Sequence, residues 1–335
     1  MKTLYLTNPA FGLSQTIARY FEPIRRSPKR IRGRKILNAI RAEMGRRMKK
    51  TEVSARPFIL HFEPTNICNL KCPNCYTGSG KNPLPKGYLP FDFYKTVIDE
   101  LKAHLVLVRL DGIGESFLHP RIFDMIRYAT DANVVSAIST NFTALKREDL
   151  GRIIDAELDY LIISLDGATK ETYEKLRFGA EFEEILANIR EIVRLKRARK
   201  SRTPFIEAQF IAFEENVGEI QAVEQLARDL GVDRLLIKEA RVEQLTDTRN
   251  SRSGVRPCYW LWYVPNISWT GHMKTCCTGG PSSLHSFGNV VGKSVLAEWN
   301  NERMQSIRGL FTKYDEEVWR SFEGYLCYQC YKLRW

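Results

Sequence analysis

From residue 58 onward, short apolar runs alternate with longer stretches in which apolar residues recur every three or four positions. The runs 58–63, 105–110, 134–139, 161–165, 206–213 and 235–237 are rich in Leu, Val, Ile and Phe and predict strands. The stretches 93–104, 121–132, 182–198 and 220–230 between them carry the helical period. A strand followed by a helix and another strand needs a crossover, so the alternation predicts βαβ units and a parallel sheet. Upstream, Ile36, Ile40, Met44 and Met48 recur every four residues with Leu37 beside them, while Arg34, Lys35, Arg41, Arg46 and Arg47 take other positions. This segment reads as a basic amphipathic helix.

Charge sharpens that picture. The 335-residue chain has a formal charge of +12, and its first 57 residues hold 15 Lys and Arg against 3 Asp and Glu, which accounts for the whole excess. The basic character therefore belongs to an N-terminal arm. Three partners suit such a helix: the body of the protein, packed against the apolar stripe; an anionic membrane surface; or nucleic acid. Few aromatic residues interleave with the basic ones to stack bases, which disfavours nucleic acid. Phe11, Ile17, Tyr20 and Phe21 offer the arm a second apolar face. The run 4–13 is interrupted by Asn8 and Pro9, so neither a signal peptide nor a spanning helix is expected. Eight cysteines, two of the spacings being C-x2-C, point to metal ligation in a reducing cytoplasm rather than to disulfides.

The cysteines divide into two groups. The first is Cys68-x3-Cys72-x2-Cys75, placed just after the first strand. Three thiolates are one too few to close a four-iron cluster, so one iron stays open to a further ligand. Zinc is the competing ligand, but its knuckles usually carry a second pair of cysteines or histidines. The second group is Cys258-x17-Cys276-x50-Cys327-x2-Cys330, with Cys277 as an alternative to its neighbour. Four thiolates would close one 4Fe–4S site or one tetrahedral zinc site.

The segment Cys68-Asn-Leu-Lys-Cys72-Pro-Asn-Cys75-Tyr76 resembles the signature of the radical S-adenosylmethionine (SAM) superfamily, and the resemblance extends over most of residues 57–335. It implies a partial (β/α)6 TIM-like barrel in an α/β fold, with the cysteine loop at the C-terminal ends of the strands. It also implies a SAM-binding 4Fe–4S cluster on Cys68, Cys72 and Cys75, and reductive cleavage of SAM to a 5'-deoxyadenosyl radical that takes a hydrogen atom from the substrate. Asp111-Gly-Ile-Gly114-Glu115 resembles the family's glycine-rich segment, with Ser116 where proline is usual. Ser139-Thr140-Asn141-Phe142-Thr143 is similar to another strand end, with Phe142 where glycine is usual. Ser164-Leu165-Asp166-Gly167 and the later Arg177 resemble a third. The resemblance assigns Tyr76, Gly114, Glu115, Ser139, Asn141, Ser164 and Arg177 to SAM.

The second cysteine group resembles the C-terminal auxiliary-cluster region called SPASM or, in its shorter form, twitch. It implies one auxiliary 4Fe–4S cluster on Cys258, Cys276, Cys327 and Cys330, with Cys277 spare. The neighbouring Tyr259, Trp260, Trp262, Tyr263 and Trp269 suit either a substrate pocket or a small aromatic core. The expected domains are a helical arm over 1–57, the barrel over 58–240 and the auxiliary region over 241–335. The expected substrate is a carbohydrate, alcohol or lipid-linked small molecule that is dehydrogenated, epimerised or otherwise remodelled, with flavodoxin or ferredoxin as electron donor. Two rivals are a peptide maturase, which would be expected to bring a leader-binding domain that the arm's pattern does not suggest, and a non-catalytic iron–sulfur or zinc module.

Overall fold

A computed structural model of the chain describes residues 2–6, 23–24, 30, 33–239, 257–274, 286–312 and 315–321. Six parallel strands form its centre: β2 (Ile59–Phe62), β3 (Leu107–Leu110), β4 (Val135–Thr140), β5 (Tyr160–Ser164), β6 (Phe205–Ala212) and β7 (Arg234–Glu239). They stand side by side in sequence order, as successive right-handed crossovers leave them. The crossovers include α2 (Phe91–Leu101), α3 (Ile122–Asp131), α4 (Gly151–Asp155), α5 (Lys170–Leu176), α6 (Phe182–Ala198) and α7 (Ile220–Leu230). The last of these stops at Gly231, whose φ of 72° is the left-handed conformation that glycine adopts without a Cβ penalty. All six central strands and all four helices predicted from the pattern of apolar residues are present. The parallel α/β architecture is that of the expected fold class.

Period-two alternation sorts the side chains. Leu60 and Phe62 of β2 join the core beneath the helices, where Phe62 meets Phe93 and Tyr94 edge-on. Ile59, Leu107, Val135, Ala137, Tyr160, Ile162 and Phe205 face the other way, into a second core inside the curve of the sheet. Glu207 is fully buried on that inner side, held by the hydroxyl of Tyr160 at 2.7 Å and the Nε of Arg234 at 2.7 Å.

The sheet continues at both edges, giving ten strands among the described residues. In the N-terminal arm, β1 (Lys2–Leu6) adds in parallel to β7, although a wholly helical arm is expected from the sequence. An incomplete barrel leaves an edge strand with unpaired backbone groups, and a short segment from elsewhere in the chain can satisfy them. On the opposite edge, β8 (Asn266–Ile267) pairs with β2, followed by antiparallel β9 (His272–Lys274) and β10 (Ser286–Asn289). The C-terminal region thus prolongs the same sheet. The expected boundary at 240/241 lies outside the described residues.

Helix α1 (Arg34–Arg47) is present where the arm's periodicity predicts it, but with its polar face turned inward. Lys35 donates to the carbonyl of Asn133 at 2.6 Å, Asn38 exchanges hydrogen bonds with the backbone of Arg56, and Arg46 reaches Tyr263 and the carbonyl of Pro257. The apolar stripe points to solvent. Leaving such side chains in water forgoes about 1.5–3 kcal/mol each. The site on the protein that a packed stripe would take is filled by α8 (Trp260–Tyr263), whose aromatics cover Phe58, Ile59 and Phe205 within the inner core. Trp262 is fully buried there, its indole N–H bonded to the carbonyl of Lys50. These aromatics therefore make a core. Further on, α9 (Val295–Trp299), α10 (Glu302–Gly309) and α11 (Glu316–Arg320) complete the described structure. The buried guanidinium of Arg308 ties α10 to α9, to α8 and to the segment after α1 by donating to the carbonyls of Trp299, Leu261 and Thr51.

Among the described residues no helix is long and apolar enough to cross a membrane.

Candidate functional site

The loop after β2 carries Cys68, Cys72 and Cys75, all three as free thiols. Its shape is set by its own backbone: Cys75 N–H donates to the Cys72 carbonyl, Lys71 N–H to Phe178 O, and Leu70 N–H approaches the Cys68 sulfur at 3.5 Å. Tyr76 is half-buried on the same loop. Neighbouring strand ends close on it. A Cβ at Gly114 would lie 2.3 Å from the Thr65 carbonyl oxygen and 2.7 Å from that of Ile67, so only glycine lets the β3 loop lie against the cysteine loop. Glu115 N–H then bonds Ile67 O at 2.8 Å. Ser116, in place of proline, anchors the turn by donating its hydroxyl proton to Leu110 O at 2.7 Å.

From β4, Asn141 directs its amide at Asn69 Oδ1 (3.0 Å) and at the Cys68 sulfur (3.8 Å). Phe142 takes a φ of 61°, the turn a glycine would make there. The strain, of order 1–2 kcal/mol, is opposed by complete burial of its ring in the core and by Asn188 donating to its carbonyl. Past the end of β5, Asp166 is gripped by the Nε and Nη2 of Arg177. Ser139 is the penultimate residue of β4 and Ser164 the last of β5, Ser164 buried and Ser139 half-buried. Burial pushes the Cys68 thiol up to about 11, with Leu70 N–H opposing, and raises that of Cys72 against the pull of Arg177.

Glu115, which the resemblance assigns to SAM, lies buried at the foot of the β3 loop. Its carboxylate accepts from Thr140 Oγ1 at 2.7 Å, Asn141 N–H at 2.8 Å and Phe117 N–H at 3.1 Å. Burial raises its carboxyl above the ordinary range, those three donors pulling the other way. These bonds also fix the backbone of Asn141. His119, as its place before Pro120 suggests, serves the local turn: Nδ1 accepts from Arg121 N–H and Nε2 lies 2.9 Å from Leu89 O.

Sequence reasoning missed a polar cluster beside these loops. Asp111 lies between His61 (2.6 Å) and Arg109. Burial would raise its carboxyl, but Arg109 and His61 outweigh that and hold it well below the usual carboxylate range. One strand over, Glu63 and Lys274 face each other at 3.6 Å, both almost wholly buried. His61 Nδ1, Glu63 Oε2 and Asn266 Nδ2 have no hydrogen-bond partner. The available signal was polar residues at alternate positions of apolar strands, His61 and Glu63 in β2 and its exit, Arg109 and Asp111 in β3 and its exit.

Of the second cysteine group only Cys258 falls among the described residues, half-buried against the aromatic core; Cys276, Cys277, Cys327 and Cys330 lie outside them. The donor set around the first group suits a multi-iron cluster. A cubane binds each thiolate through a different iron, so the sulfurs need not converge on one point, and among the described residues no three metal-ligating side chains do.

Two family models match the chain: the radical SAM superfamily over residues 62–208 and an iron–sulfur cluster-binding domain, SPASM, over 258–331. The chain belongs to the radical SAM superfamily. Its cofactors are a SAM-binding 4Fe–4S cluster, an auxiliary cluster and SAM. This radical SAM protein is 32% identical over 176 residues to the AdoMet-dependent heme synthase of Methanosarcina barkeri, covering 52% of this chain and 48% of that one. It is 25% identical over 308 residues to the tungsten-containing aldehyde ferredoxin oxidoreductase cofactor-modifying protein of Pyrococcus furiosus, covering 76% and 84%. The match thus spans about half the length of the first relative and most of the second. Among solved structures, Streptococcus suis SuiB bound to its precursor peptide SuiA is similar in fold, with a TM-score of 0.61 at 13% identity over 78% of this chain and 69% of that one.

Proposed function

We propose that this radical SAM enzyme cleaves SAM at a cluster held by Cys68, Cys72 and Cys75 and uses the radical to abstract a hydrogen atom from a hydroxyl-bearing small molecule. A carbohydrate or other alcohol is the substrate class, with dehydrogenation or epimerisation as the outcome. The observation that carries the reading is the meeting of three strand-end loops at one point. The cysteine loop after β2 is approached by Gly114 from β3, by Asn141 from β4 and, from beyond β5, by Phe178, whose carbonyl accepts from Lys71 N–H.

When bound, the cluster supplies the electron that splits SAM into methionine and a 5'-deoxyadenosyl radical. The chain's own residues do the rest. Asn141 directs an N–H donor at the Cys68 sulfur and the positive charge of Arg177 acts on Cys72, both favouring the thiolate form that iron requires. Tyr76, Glu115, Ser139, Asn141, Ser164, Arg177 and the backbone at Gly114 would hold SAM, with Glu115 also fixing the Asn141 backbone. The substrate class rests on His61 Nδ1 and Asn266 Nδ2, which have no hydrogen-bond partner, and on Glu63 Oε2, which has only the ion pair with Lys274, since a buried donor or acceptor left unmade is costly and a ligand rich in hydroxyls offers both. Cys258, Cys276, Cys327 and Cys330 would hold the auxiliary cluster and accept the substrate's electron, with Cys277 spare. A flavodoxin or ferredoxin would supply electrons. The barrel would run over 58–240 and the auxiliary region over 241–335.

Anaerobic reconstitution followed by dithionite and SAM tests the first part. Roughly eight irons per chain and formation of 5'-deoxyadenosine are expected. Four irons with zinc in the second site would sink the auxiliary assignment. Comparison of metabolite extracts with and without the active enzyme tests the second part, and a modified peptide in place of a modified alcohol would favour a maturase.

A further inference from the structure

Nine large apolar side chains are exposed among the described residues, and five of them, Ile36, Leu37, Ile40, Met44 and Met48, share one face of α1 and its C-cap. Their exposures run from 47% to 61%. The opposite face is committed to the protein through Lys35, Asn38 and Arg46. Arg34, Arg41 and Arg47 are exposed beside the apolar residues, and Lys49 and Lys50 follow the helix end. The one acidic residue of the helix, Glu43, is engaged by Arg46, Arg47 and the hydroxyl of Tyr263. The outward half of α1 is therefore an apolar strip, about 21 Å long at 1.5 Å per residue, bordered mainly by positive charge, its single carboxylate paired with arginines.

We propose that α1 lies in the surface of an anionic bilayer, its five apolar side chains reaching the acyl boundary and its arginines and lysines at the level of the phosphates. Charge complementarity selects anionic lipid. Shape selects a flat surface over a protein groove: a groove encloses a helix on several sides, and here the body of the protein already occupies the inner side along the helix. Orientation follows from the inward contacts. Asn133 precedes β4, Arg56 precedes β2, and Pro257 and Tyr263 precede β8, so α1 covers the end of the barrel where the strands enter. The cysteine loop follows β2 at the other end. Docked in this way, the enzyme turns its radical site to the aqueous side and takes substrate from water, so the lipid is an anchor and not the substrate. The membrane contact stands apart from the radical chemistry, while the facing of the site rests on the proposed function.

Flotation of the full-length reconstituted protein with phosphatidylglycerol-containing and pure phosphatidylcholine vesicles is the test. Binding to the anionic vesicles is expected to exceed that to the neutral ones at least about tenfold, and to weaken between about 0.1 M and about 0.5 M salt. The double variant Ile40→Gln/Met44→Gln should lose at least about tenfold in anionic binding, as should Arg34→Gln/Arg41→Gln. Val217→Gln, an exposed apolar residue elsewhere, should lose none. All three variants alter exposed side chains, and unchanged iron content and unchanged 5'-deoxyadenosine formation show that each is folded. Equal anionic binding by the Ile40/Met44 variant overturns the proposal. So does equal binding to neutral vesicles, or absence of vesicle binding together with a dimer, seen by light scattering, that the same variant dissolves.

Discussion

The two ends of the barrel are built by opposite rules. At the exit end, where the strands deliver their loops, polar and charged groups are drawn inward and held by one another: Asp111 between His61 and Arg109, Asp166 under Arg177, Glu115 inside three donors. At the entry end, an aromatic plug fills the interior while α1 presents apolar side chains outward. A buried charge costs several kcal/mol unless it is paired, and an exposed apolar helix face forgoes a comparable sum. Each end departs from the simplest packing in its own way, and both departures mark surfaces with work to do.

The sharpest test of the contrast compares one cysteine from each end. Cys72→Ala should abolish 5'-deoxyadenosine formation down to the level of SAM without enzyme. A folded Cys258→Ala protein should keep SAM cleavage under dithionite while losing product. Deoxyadenosine from Cys72→Ala would end the assignment of the exit end as the radical site.

Next comes Gly114→Ala. The added Cβ meets the backbone oxygens of Thr65 and Ile67, neither of which can swing aside as a side chain would, so the cysteine loop must move as a body. A displacement near 1 Å at a reacting centre costs about 10²-fold in rate. SAM cleavage per reconstituted cluster measures it, and wild-type turnover would show that the two loops are not tightly coupled.

Stability should separate the ends too. Asp111→Asn removes the buried carboxylate charge that faces both Arg109 and His61 and should cost about 3–5 kcal/mol, read as a shift in denaturant midpoint. Asn38→Ala at the entry end removes a reciprocal pair of hydrogen bonds to Arg56 and should cost only about 1–3 kcal/mol. The reverse ranking would place the principal stabilising contacts at the wrong end.

The smallest effect is one of pH. Burial, helped by the charge of Arg30, pulls the Lys35 ammonium down to about 8. Below that pH the side chain is protonated both folded and unfolded and the cost of burying the charge is fully present. Between about 8 and the unfolded value near 10.4 the folded state releases the proton first, so stability rises with pH. The advantage of Lys35→Met over the wild type should therefore be largest below pH 8 and shrink above it. A difference in midpoint that stays constant from pH 7 to 10 would show that Lys35 does not titrate in this range.

The sequence by itself determined the order of the central strands and the place of the first cysteine group. Both are local in origin: the apolar period writes each element, short crossovers leave neighbours adjacent, and Cys68, Cys72 and Cys75 share one loop. It also located α1 from a four-residue repeat. Which way α1 faces was decided only in the tertiary structure. The interior position that its stripe would have filled is taken by Trp260, Trp262 and Tyr263, more than two hundred residues away, and periodicity cannot see such a competitor. The same holds for Glu115. Its motif marks a carboxylate at a strand end, yet its partners come from the next strand, so how it is held depends on packing between strands. The strand in the arm and the polar cluster of His61, Glu63, Asp111 and Lys274 were hidden for the same reason: each is made by backbone edges and side chains that only folding brings together.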